Sequence, residues 1–359
     1  MLAPRGASNR ADSLRVGSYN GEMKRLLLLL LTPLATLSAA DSGLLVEFKV
    51  GIERLDPDFD KLVPPDAQIE KCAEGFNWSE GPTWSQNAIL FSDVPENVIY
   101  RWAPGNPMAT VFLKPSGSEK LRPIEGVREQ GSNGLAVDAE GRLLICQHGA
   151  RRVARLENDK RQTALADRFE GKRFNSPNDL ALRKNGEIYF TDPPYGFAEL
   201  NESPLKELPF NGVFRIAADG KVSLLIKDLT FPNGIAFSPD EKILYVAVSD
   251  PKHTNIMAYD VQDDGSVTNG REFFNAEAVK KPGLKGGCDG MKVDAAGNVF
   301  STGPGGVLVI SPAGKHLGTL LTGQQTGNCA WGDDGSTLYI CADMFLCHVK
   351  TATKGAGWK

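Results

Sequence analysis

The sequence predicts an all-β fold, a six-bladed β-propeller with four antiparallel strands per blade. Three observations carry that prediction. One motif recurs six times along the chain, further alternating strand pairs lie between its copies, and 38 Gly with 22 Pro in 359 residues leave little room for long helices.

The copies run in order. "SEGPTWSQNAILFSDV" begins at Ser79, "SNGLAVDAEGRLLIC" at Ser132 and "SPNDLALRKNGEIYFTD" at Ser176. "FPNGIAFSPDEKILYVAVSD" begins at Phe231, "GCDGMKVDAAGNVFSTG" at Gly287 and "GNCAWGDDGSTLYICAD" at Gly327. Each has a polar residue, usually followed by Gly, then a short alternating strand, a Gly/Asp/Asn/Pro turn and a second alternating strand. The spacing of roughly 40 to 55 residues is that of propeller blades rather than helical repeats. Between copies, "VIYRWAP", "GVFRIAADGKVSLLI" and "IMAYDVQDDGSV" supply the remaining strand pairs. Radial repetition of this kind leaves only short, protected sheet edges. "LLVEFKVGIERL", residues 44 to 55, precedes the first copy and is expected to add a strand or a cap.

Composition narrows the function. A hydrophobic content of 41 %, a charged content of 23 % and a net charge of −4 without a basic block describe a globular protein with no nucleic-acid footprint. From Met23, "MKRLLLLLLTPLATLSAADS" reads as an export signal, with Lys24 and Arg25, a leucine run too short to span a bilayer comfortably, and small residues at Ser38, Ala39 and Ala40. Residues 1–40 are therefore expected to be an N-terminal extension with a signal peptide, the true start being Met23. Residues 41–359 then form a single propeller domain, periplasmic or secreted, with no membrane contact in the mature form. The six cysteines lie mostly in apolar runs; Cys341 and Cys347 flank a turn and are the best local disulfide pair.

In a propeller the first strand of each sheet lies nearest the axis, and the residue that begins it faces one mouth of the channel. Those positions hold Glu80, Asn133, Asn178, Asn233, Asp289 and Asn328. Asn and Asp often mark turns, but here they precede the strand and the turns proper come afterwards. Two carboxylates and several amide oxygens suit a hard cation, calcium above all. Without His or Cys, zinc and copper are disfavoured; magnesium and manganese, and less readily zinc, stand as substitutes.

These residues are recognisable together. "EGPTW", "SPNDLALRKNGEIYFTDPPYG", "PNGIAFSPDEKILYV" and "CDGMKVDAAGNVF" resemble the senescence marker protein/gluconolactonase family of six-bladed propellers, from about Ile69 to Val349. The resemblance implies a divalent metal held by Glu80, Asn178, Asn233 and Asp289, with Asn133 and Asn328 as substrate contacts or supports of the ligands. One departure is Cys288, where relatives often carry Pro before the Asp. His148, in "CQHG", resembles a histidine of related lactonase propellers that takes part in acid-base work. Arg173 is a candidate to orient a substrate hydroxyl or carboxylate, and "TDPPYGF", with Tyr195, to line the mouth and set substrate size. Ser79 and Ser176 have no His/Asp arrangement, so a serine triad is not expected.

The expectation is a metal-dependent hydrolase opening a small sugar lactone, gluconolactone-like, with Asp289 as ligand and general base and Glu80 mainly as ligand. The rivals are an organophosphate or aryl-ester hydrolase on the same site and a non-catalytic ligand-binding propeller.

Overall fold

The computed structural model describes residues 48–120 and 122–358; the expected export signal and the start at Met23 lie outside them. Six antiparallel sheets form the blades, beside one two-stranded hairpin, and four of the six are built wholly from consecutive strands. Blade 1 is Ser79–Ser85, Ala88–Asp93, Val98–Trp102 and Thr110–Leu113. Blade 2 is Ser132–Val137, Leu143–Gln147, Arg152–Leu156 and Gln162–Ala166. Blade 3 is Leu180–Leu182, Ile188–Asp192, Gly212–Ile216 and Val222–Ile226. Blade 4 is Pro232–Phe237, Ile243–Val248, Asn255–Val261 and Val267–Asn275. Helical structure among the described residues is confined to three short 3-10 turns.

The last two blades recruit the N-terminal end of the described chain. Blade 5 (Met291–Val293, Val299–Gly303, Gly306–Ile310, His316–Leu321) gains a fifth, outer strand from Gly51–Arg54, in which Gly51 pairs with Leu321. The expected early strand is thus present. Blade 6 takes only three strands from the C-terminal region, Thr326–Gly332, Thr337–Ala342 and Phe345–Lys350. Its outer strand is Ile69–Glu74, running antiparallel with Ile69 opposite Val349 and Glu74 opposite Phe345. The two ends of the chain therefore close the ring by hydrogen bonds.

Every blade is buried on both faces, which explains why its second strand reads as an almost continuous apolar run. Alternate residues serve opposite interfaces. Ile89 and Phe91 pack toward blade 6, while Leu90 between them packs toward blade 2. Six apolar clusters result, one at each blade–blade interface.

The same alternation corrects the expected disulfide. Cys341 pairs in register with Leu346, one residue before Cys347, so the two cysteines project from opposite faces of blade 6. Cys341 packs against blade 1 and Cys347 against blade 5, and all six cysteines are free thiols.

Candidate active site

The inner strand of each blade is irregular at its axial end. In blades 1, 2, 4 and 6 the pairing register shifts there, between Glu80 and Thr83, Ser132 and Leu135, Pro232 and Ile235, and Thr326 and Asn328. In blades 3 and 5 the regular strand begins two residues after Asn178 and Asp289. A bulge turns a side chain out of the pleat, which aims these polar residues at the axis.

The Gly that follows most of them has a separate cause. Backbone hydrogen bonds stitch neighbouring blades together around the axis, Gly134 N–H to Asn178 O at 2.7 Å, Gly234 N–H to Asp289 O at 3.2 Å and Gly290 N–H to Gly327 O at 2.7 Å. Such close approach leaves no space for a Cβ. At Gly81, which also has φ +53°, an added Cβ would collide with Asn133 O, and at Gly234 with Asp289 O. Blades 3 and 6 carry Asp179 and Cys329 at the equivalent step. Asp179 fills the space left by its glycine neighbours, and its carboxylate accepts from Leu180 N at 2.8 Å and from Asn328 Nδ2 at 3.3 Å. Gly81→Ala is therefore expected to cost at least about 3 kcal/mol, through both strain and collision. Urea unfolding measures this, and an unchanged midpoint would mean that the ring can open locally.

Five of the six axial residues, Glu80, Asn133, Asn178, Asn233 and Asp289, line one cavity of about 540 Å³. The first four are only 2 to 4 % exposed. Asn328 does not line the cavity; it donates to Asp179 and is bonded to the Glu80 carboxyl, so it braces these two carboxylates from behind. Tyr195 reaches the cavity wall and stacks on Phe231 with centroids 5.8 Å apart. Arg173 does not reach the cavity. Its chain segment forms a small hairpin, Arg168–Phe169 with Lys172–Arg173, and its guanidinium donates to Ala150 O at 2.6 Å. His148 is buried behind the wall, with Nδ1 3.6 Å from Glu129 Oε2.

Sequence reasoning missed Arg128 and Glu129, which also line the cavity. They sit on the connection between blades 1 and 2, outside the repeat, and only their position just ahead of "SNG" hinted at them. Cys288 is accommodated by its neighbour Thr254, whose Oγ1 accepts the Cys288 N–H at 2.7 Å, a donor that Pro would lack.

Electrostatically the site is short of positive charge at its centre. Burial pushes the Glu80 carboxyl up to about 8, assisted by the charge of Asp179 and opposed by hydrogen bonds from Gly81 N–H and Asn328. Asp289 is held well above the usual carboxylate range by burial and by the charges of Glu80, Asp179 and Glu129. The amide oxygens Asn133 Oδ1 and Asn233 Oδ1 are buried with no hydrogen-bond partner. For Asn233 the amide is oriented by Ser249, whose Oγ accepts from Nδ2 at 2.8 Å, leaving the oxygen as the free end. Two crowded carboxylates beside unpartnered amide oxygens form a donor set that fits a hard divalent cation.

Comparison with known proteins places the fold and its repeat in a family. Residues 78–343 match the family described as the SMP-30/Gluconolactonase/LRE-like region. A gluconolactonase of Zymomonas mobilis is 40 % identical over 316 residues, covering 85 % of this chain and 87 % of that one. The pentonolactonase XacC of Haloferax volcanii is 26 % identical over 268 residues, 73 % of this chain and 80 % of that one. The solved structure of a gluconolactonase from Xanthomonas campestris superposes with a TM-score of 0.72 at 30 % identity, covering 84 % of this chain and 94 % of that one. By repeat, axial site and these likenesses alike, the chain belongs to the SMP-30/gluconolactonase/LRE-like family.

Proposed function

We propose that this protein is a divalent-cation-dependent hydrolase that opens a sugar lactone, gluconolactone-like, to its hydroxy acid. The observation that carries the reading is the convergence of Glu80, Asn178, Asn233 and Asp289 on one cavity, with no protein cation among them to balance the two carboxylates. These four residues would hold the ion, calcium being the best match to an all-oxygen set. Once bound, such a cation supplies Lewis-acid polarisation of the lactone carbonyl and a lowered pKa for water.

The chain's own residues then do the following. The Asp289 carboxylate accepts a proton from the attacking water, whose oxygen forms a bond to the carbonyl carbon. The ring C–O ester bond breaks, and the proton returns from Asp289 to the departing ring oxygen, giving a free hydroxyl and a carboxylic acid. Asn133, buried beside the ligands, offers an amide to the substrate oxygens. Tyr195 closes one side and limits what enters. The names of the gluconolactonase and pentonolactonase relatives support the substrate class.

The test is a pH-stat assay on gluconolactone with chelator-stripped protein refilled with Ca²⁺, Mg²⁺, Mn²⁺ or Zn²⁺. We expect hydrolysis well above spontaneous opening, lost on stripping and restored best by calcium. Tight cation binding without turnover of lactones, aryl esters or organophosphates would instead make this a binding propeller.

A further inference from the structure

One wall of the cavity carries a charged pair that the reaction above leaves idle. Arg128 and Glu129 are held there by a clamped segment. Arg128 N–H donates to Gly196 O at 2.8 Å, and Val127 bridges Phe197 in antiparallel fashion. The "TDPPYG" segment and the blade 1–2 connection thus brace one another. Gly196 is needed at this junction, because an added Cβ would stand 2.8 Å from the Ser176 side chain and 3.1 Å from that of His148.

Within the pair, Arg128 Nη2 lies 2.7 Å from Glu129 Oε1, and the other carboxylate oxygen faces His148 Nδ1 at 3.6 Å. Burial alone would raise the Glu129 carboxyl, but His148 and Arg128 together carry it below its ordinary value. Ionised, it has about four lone-pair sites, and the guanidinium has five N–H donors; a single contact between them leaves most of both unused. Acceptor and donor therefore stand side by side on a wall that also bears Trp78 and Tyr195. Adjacent hydroxyls of a polyol each give one hydrogen bond and take another, and charge-assisted bonds of this kind are among the stronger ones. An unsubstituted lactone ring has no hydroxyl to donate to this carboxylate. Glu80 and Asp289 are committed at the centre of the site, and no other carboxylate lines the cavity among the described residues.

We propose that Glu129, held by Arg128 and flanked by His148, selects polyhydroxylated lactones over unsubstituted lactones of the same ring size by accepting hydrogens from neighbouring ring hydroxyls. The inference rests on the lactonase reading, and its test separates the two. Calcium-loaded Glu129→Gln is assayed on glucono-δ-lactone and on δ-valerolactone. The expected result is a fall in kcat/KM of about 30-fold or more on the first and less than about threefold on the second, as loss of a hydrogen bond to a charged group implies. Equal losses on both, or none, overturn it. Should the wild-type chain open neither lactone, calorimetric binding of 1,5-anhydroglucitol, a polyol ring with no carbonyl, decides the matter. Binding that is lost in Glu129→Gln upholds the assignment; binding that is unchanged, or absent from the wild type, overturns it. Arg128→Met alters a half-exposed side chain and serves if the first variant fails to fold, with the same asymmetry expected at roughly fivefold.

Discussion

Exchange of Asp289 for Asn is expected to lower kcat on gluconolactone by about 10³-fold or more while the propeller stays folded. The amide has the shape of the carboxyl and leaves the backbone bond from Gly234 N–H to residue 289 O in place. It cannot accept the water's proton, and it removes one of the two charges at the site centre. The variant carries a second signature. In chelator it should melt at a higher temperature than the wild type, because the repulsion among Asp289, Glu80, Asp179 and Glu129 is reduced. Inactivation by simple misfolding would lower the melting temperature instead. Rates within about tenfold of wild type would remove Asp289 from the proton transfer.

Stability of the cation-free protein is expected to fall as pH rises from about 4.5 to about 8, and calcium should abolish that slope. The sign follows from Glu80, whose folded-state value is pushed from 4.5 up to about 8. Below 4.5 the folded and unfolded chains both hold the proton. Between the two values the folded chain keeps a proton that the unfolded chain releases, so each pH unit costs about 1.4 kcal/mol, on the order of 5 kcal/mol in all at most. Asp289 is shifted in the same direction and steepens the trend. A bound cation makes the ionised forms the favoured ones and removes the penalty, so the gain in melting temperature on adding calcium is larger at pH 8 than at pH 5. Melts at pH 5, 6, 7 and 8, with chelator and with calcium, measure it. Parallel curves would show that the cation does not sit against these carboxylates. Glu80→Gln should flatten the chelator curve by itself.

The axial set was legible in the sequence for a physical reason. A residue at a bulge facing the axis must be polar, and the next position must usually be Gly because the neighbouring blade's backbone passes against it; each blade repeats that constraint. Asn178-Asp179 breaks the sequence pattern and proves to be, with Cys329 in blade 6, a place where a side chain occupies the space that the glycines of the other blades leave open. What could not be read lies outside the repeat. Arg128 and Glu129 belong to a connection with no counterpart in other blades, and their position depends on a distant segment at Gly196. Arg173 is near Asn178 in sequence, yet its hairpin turns away from the axis and spends the guanidinium on Ala150 O. Asn328 shares the axial position but bonds to Asp179, which no local pattern reveals. Cys341 and Cys347 looked paired by separation alone, whereas strand parity puts them on opposite faces.

Closure of blade 6 by Ile69–Glu74 sets a timetable for this protein's birth. The outer strand emerges from the ribosome early and cannot find Phe345–Lys350 until nearly the whole chain has been made. Glu80 and Asp289, separated by more than two hundred residues, meet only when the circle is complete. Pairings of such long sequence separation form late and slowly. A nascent chain would therefore expose the waiting edges of blades 1 and 6 through most of its synthesis, a hazard for any partly made sheet protein. The proposed cation site then arrives all at once, as a property of the finished ring rather than of any blade.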